Sequence, residues 1–162
     1  MGDGAAGGIV TDSVTFMLPD AEAQYLRELV EQYLELVRSP DDARDPAIRR
    51  LSPDAYPDEA DASAEFRAWT RDDLAATRAA DAERVIEVLR ERERAAEPRP
   101  ELILDAPSQT AWLRTLAGLR IVLAARMGIV DDDSVVADGD PRYDVYEWLG
   151  YRQEMLLQSM AG

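Results

Sequence analysis

Arginine and carboxylate are the only side chains in this sequence that carry charge near neutral pH, so they bound its chemistry. Acidic residues number 33, the 18 basic residues are all Arg, and Cys, His, Lys and Asn are absent. Without His the commonest general base near neutral pH is missing. Without Cys there is no disulfide, thiol switch or thiolate zinc site. Without Lys, Schiff-base chemistry and the P-loop cation are excluded. Lysine and asparagine codons are AT-rich, so the bias fits a high-GC genome and gives the choice of Arg over Lys little functional weight. Carboxylates, Tyr, Ser, Thr and Arg remain. Glycoside-type chemistry needs two carboxyls held about 5 to 10 Å apart, and no local motif selects such a pair. The acidic run DDDSVVADGD at 131–140 invites a calcium reading. An EF-hand loop begun at Asp131 would place Val135 at position 5 and Val136 at the glycine position, so the pattern fails. A solvated acidic turn is the better reading. The chain is therefore expected to be non-enzymatic, with no catalytic residue, no metal ligand and no cofactor.

Two arginines stand out by position. Over 74–89 the apolar face is Leu74, Ala82, Val85, Ile86 and Leu89, and Arg78 falls in its middle. Over 112–127 the face is Trp112, Leu113, Leu116, Leu123, Ala124 and Met127, and Arg120 falls within it. At about 100° per residue both cations point toward a core. A buried Arg must be paired or it costs heavily, and Asp81, Asp105 and Asp144 are the candidate partners. One reading is a buried ion pair that fixes helix register. The other is a cationic pocket for an acidic ligand or partner group.

The last helical segment has two stripes. Val145, Leu149, Leu156 and Met160 form one, suited to the core. Trp148, Tyr151 and Met155 form a second at i, i+3 and i+7. Aromatic and Met side chains are favoured at protein interfaces, so these three are the candidate partner-binding residues. A helix buried on two sides would show the same spacing.

The elements that must position these groups can be read along the chain. Residues 1–12 read as a flexible tail, and 13–162 as one helical domain. Ser13 to Leu18 is a strand candidate, and Asp20 is the expected N-cap of a helix whose apolar positions are Leu26, Leu29, Val30, Tyr33, Leu34 and Val37. Residues 39–62 form a long acidic, Pro-rich loop, a functional or mobile connection, pinned by Ile48, Leu51 and Tyr56 and a possible second partner contact. Ser63 caps a short helix carrying Phe66 and Trp69. Thr70 with Asp73 resembles a capping box for a further helix ending near Arg94. Glu101 to Asp105 is a second strand candidate, able to pair with the first. Pro107-Ser108 opens a helix that ends near Gly128. Asp140-Pro141 opens the last, in the order N-cap then Pro at N1. The fold class is mainly α: a single domain of about five helices with at most a small two-stranded β element.

The net charge of −15 disfavours direct binding to DNA phosphates. It suits a basic protein partner, although solubility alone would account for it. No apolar run approaches the roughly 20 residues needed to cross a bilayer, and the first residues do not resemble a signal peptide. No membrane association is expected, and the localisation expected is cytoplasmic.

Three segments carry a family resemblance: EFRAWTRDDLAATR at 65–78, WLRTLAGLRIVLAARMGI at 112–129 and DPRYDVYEWLGYRQEMLL at 140–157. They resemble an uncharacterised actinobacterial domain-of-unknown-function family, number two thousand and seventeen, from about Ser13 onward. The resemblance implies an oxidative-stress transcriptional regulator acting with an alternative sigma factor. The family is also often encoded beside the adaptor of the Clp protease. Its redox sensing is ascribed to cysteines, so a disulfide switch is excluded in this Cys-free chain. The resulting expectation is a regulatory interaction protein whose partner is a sigma factor or RNA polymerase. The alternatives are a Clp-linked adaptor or substrate-handling protein, and a small-anion sensor using Arg78 or Arg120. A homodimer is a further option.

Overall fold

The computed structural model describes residues 12–38, 45–51, 60–97, 99–131, 133–136 and 138–161, with Trp69 the only side chain described over 60–71. In chain order the elements are β1 (Val14–Met17), α1 (Asp20–Arg38), α2 (Pro46–Leu51), α3 (Ala60–Arg94), β2 (Glu101–Leu104), α4 (Ala106–Met127) and α5 (Pro141–Ala161). This is the mainly α fold with a small two-stranded sheet that the periodicities predict. β1 and β2 are antiparallel, with Val14 opposite Leu104 and Met17 opposite Glu101. The register turns Phe16 and Leu102 inward as one buried pair, while Thr15 and Ile103 face out.

α4 is the organising element. It packs against all four other helices and β2. That explains its near-continuous apolar character, because a helix surrounded by partners needs no polar face. Trp112 on α4 is fully buried and meets Phe16 of β1 edge-on, with ring centroids 5.7 Å apart. Around it pack Leu26 and Val30 of α1, Val85 and Leu89 of α3, and Leu149 and Leu156 of α5. Each side chain of this size contributes about 1.5–3 kcal/mol on leaving water, so the mixed core joins strands and helices into one domain.

Several local expectations shift. α3 runs unbroken through Thr70, so the predicted stop and restart there does not occur. Part of the predicted loop is the short helix α2, which buries Ala47, Ile48 and Leu51. α4 begins one residue before Pro107, capped by Asp105, whose side chain accepts the Ser108 N–H at 2.9 Å. Gly128 closes α4 in the left-handed region, φ 75°, a conformation that favours glycine. The expected tail except Asp12, most of 39–62 with Tyr56, and the side chains of Ser63, Phe66 and Thr70 lie outside the described residues.

Candidate functional site

The second stripe of α5 is partly an internal seam. Trp148 is half-buried, donates its indole N–H to the Glu22 carboxylate of α1, and meets the Tyr25 ring at 5.8 Å. Arg152 adds two bonds to the same carboxylate, 2.7 and 3.0 Å, and donates to the Met17 carbonyl at 3.1 Å. Burial pushes the Glu22 carboxyl up, but the bonds from Trp148 and Arg152 outweigh it and hold it below the usual range. Trp148, expected at a partner surface, therefore fastens α5 to α1. Met155 is half-buried against the core. Of the three candidates Tyr151 is the outward one, 56% exposed, with the Arg152 guanidinium 5.4 Å from its ring centre.

The expected carboxylate partners of the two arginines are not the ones found among the described residues. Arg120 reaches across the α4–α5 contact, where its guanidinium carbon lies 4.4 Å from the Tyr146 ring centre and Nη1 is 3.4 Å from Gln153 Oε1. Its Nε is buried without a hydrogen bond. Gly150 makes room for it, since a Cβ there would fall 3.1 Å from the guanidinium carbon. A flat cation stacked on a ring and a bare backbone is a packing solution that substitutes for an ion pair. Asp144 is exposed on α5, and Asp105 is occupied as the cap of α4. One carboxylate satisfies a helix end, the other faces water, and the guanidinium finds an aromatic face.

Arg78 donates to the carbonyl of Leu51 at the end of α2. Burial lowers its pKa from the ordinary guanidinium value. It lines a cavity of about 410 Å³ between α1, α3 and α4, together with Tyr33, Asp81, Arg114 and Thr115. Asp81 stands 3.7 Å from Arg114, too far for a hydrogen bond, and its Oδ2 is buried with no hydrogen-bond partner. Burial raises its carboxyl above the usual range, with the Arg114 and Arg84 charges opposing the shift. The Tyr33 phenol is also pushed up by burial. Its ring lies against the backbone of α4 at Gly118, where a Cβ would fall 2.7 Å from Tyr33 Cζ and closer still to the hydroxyl. Glycine is needed here for close approach. Thus the structure brings Arg78 and Asp81 to one cavity and places Arg120, Asp105 and Asp144 elsewhere.

Arg92 was readable only as a cation at a helix end. It is 8% exposed, donates to the Leu18 carbonyl at 2.5 Å and lies 3.4 Å from Asp20. It follows Val85 and Leu89 at helical spacing, which was the available signal. The acidic turn is internally bonded: Ser134 Oγ accepts the Val130 and Asp131 N–H groups at 3.0 and 3.2 Å. Asp131 accepts the Asp133 N–H at 3.0 Å. Among the described residues no cluster of acidic side chains has the grouping of a metal site, and no helix is long and apolar enough to cross a membrane.

No curated protein and no solved structure matches the chain significantly. A family model does match, over residues 5–160, a span that takes in every described strand and helix except the last residue of α5, and every candidate residue above. The chain belongs to the family defined by the domain of unknown function DUF2017.

Proposed function

We propose that this protein is a non-enzymatic regulatory interaction protein that acts on transcription through a sigma factor or RNA polymerase. The observation that carries the reading is the outer face of α5. Tyr151 is exposed there between Glu147 and Glu154, one turn away on either side, with Leu157 also exposed beyond. An exposed aromatic framed by carboxylates offers contact area and charge complementarity to a basic protein surface. The net charge of −15 speeds such an encounter and works against gripping promoter DNA directly. The resemblance to oxidative-stress regulators supports transcription as the setting. In a Cys-free chain the stress signal would reach the complex through the partner rather than through a disulfide here.

The test is affinity purification of the tagged protein from its own host at low and moderate salt, with Tyr151→Arg alongside. Recovery of sigma factor or polymerase subunits with the wild type, and their loss with the variant, supports the reading. Clp subunits in their place would favour the adaptor reading.

A further inference from the structure

Asp81 and Thr115 both line the cavity between α1, α3 and α4, and each carries a buried side-chain oxygen without a hydrogen-bond partner, Asp81 Oδ2 and Thr115 Oγ1, the first 3.7 Å from Arg114. Thr115 is 1% exposed. A buried polar group left without a hydrogen bond is costly, and two on the lining of one cavity call for a partner there. The space, about 410 Å³, falls in the size range of small-molecule sites. The 131–140 turn is acidic but satisfies itself, and the exposed sheet face at Ile103 has nothing to indicate what would cover it.

The lining specifies the occupant. Among the described residues, Arg78 and Arg114 bring two positive charges against the single carboxylate of Asp81, a surplus of one. Arg78 is held in place by its bond to the Leu51 carbonyl, which fixes its guanidinium at the cavity wall. Leu74 and Ile121 supply apolar walls. The geometry points to a binding site for a small organic carboxylate that carries a hydroxyl: the carboxylate on Arg78, the apolar body along Leu74 and Ile121, and the hydroxyl between Asp81 and Thr115. Guanidinium suits a carboxylate because its planar donors match both oxygens. Water alone would satisfy the two orphan oxygens but would leave the charge surplus and the apolar walls unused. The site is separate from the α5 face, so it stands or falls independently of the partner.

The test uses the full chain and 3-hydroxybenzoate as the probe. Benzoate, phenol and inorganic phosphate are controls that lack the hydroxyl, the carboxylate and the apolar body. Binding is followed by NMR shifts of the Ile121 methyls and by the thermal midpoint, for the wild type, Arg78→Gln and Thr115→Val. The expected result is saturable binding of 3-hydroxybenzoate that exceeds each control. Thr115→Val should weaken it about fivefold, the equivalent of one hydrogen bond. Thr115→Val removes an atom with no internal partner, so it should fold with an undiminished midpoint and carry the test if Arg78→Gln does not fold. No saturable shift, equal binding by benzoate, phenol or phosphate, or unchanged binding in Thr115→Val would overturn the assignment.

Discussion

Trp148 on the last helix donates its indole N–H to Glu22 on the first, across 126 residues of sequence. The Arg152 guanidinium grips the same carboxylate, so one acidic side chain holds α5 against α1, while Arg152 also bonds the Met17 carbonyl at the end of β1.

Replacing Glu22 with Gln should therefore loosen α5. Hydrogen bonds to a charged group contribute about 1.5–3 kcal/mol, and partial exposure of Glu22 favours the lower end. A lower thermal midpoint with altered Trp fluorescence is expected, measured against Glu154→Gln on the exposed face as a neutral control. Equal midpoints for the two variants would show that the seam contributes nothing.

Acid should release the same seam. The Glu22 carboxyl is held below its ordinary pKa in the folded state. The stability it supplies is present above the unfolded-state value and is lost as pH falls through the lower folded value. The wild type should thus lose midpoint faster than Glu22→Gln at the acid end of a pH series. Asp81 has the opposite sign. Its raised carboxyl destabilises the fold above its unfolded value and is relieved as pH falls through the folded one. Asp81→Asn should match or exceed the wild-type midpoint at neutral pH, with the gap closing on acidification. A less stable Asp81→Asn at neutral pH would mean that the Arg114 pair outweighs the burial.

The two interior glycines should respond differently to Ala. At Gly118 the new methyl meets the Tyr33 ring, which is itself buried, and overpacking of this kind costs about 1–3 kcal/mol. At Gly150 it meets the far end of Arg120, a flexible chain able to yield. The gain in helix propensity, about 1 kcal/mol, then offsets the contact. Urea unfolding should rank Gly118→Ala well below Gly150→Ala, and Tyr33→Phe should recover part of the loss. The reverse ranking would refute the close approach at Gly118.

These contacts mark where the sequence stops being informative. Helix faces and the two strands follow from apolar periodicity, the end of α4 from Gly128 and the start of α5 from the Asp140-Pro141 pair, whereas the start of α4, expected at Pro107-Ser108, lies one residue earlier under the Asp105 cap. The break expected at Thr70 failed because an Asp three residues on is compatible with a helix interior as well as with a cap. That Arg78 and Arg120 lie on inward faces was legible. Their partners were not: a carbonyl 27 residues away and an aromatic face on another helix leave no trace in local spacing. The same limit hid the role of Trp148, since a stripe that packs internally and one that binds a partner share one period.

Arg92 and Arg90 differ sharply in burial. Its bond to the Leu18 carbonyl is buried, whereas Arg90 on the same turn is largely exposed, 3.6 Å from Glu31. Arg92→Ala should cost about 2–4 kcal/mol through the unmet carbonyl and the lost packing, and Arg90→Ala about 0.5 kcal/mol or less. Chemical denaturation of the two variants measures the difference, and similar losses would contradict the buried role.

Direct binding of the purified chain to the purified sigma factors and core RNA polymerase of its host tests the proposed function most closely. The expected result is saturable binding to one of them that weakens with salt. It should fall about tenfold in Tyr151→Arg, the loss typical of a central interface residue, and stay unchanged in Thr115→Val. Absence of binding to every one of these proteins, or binding indifferent to Tyr151, would contradict it.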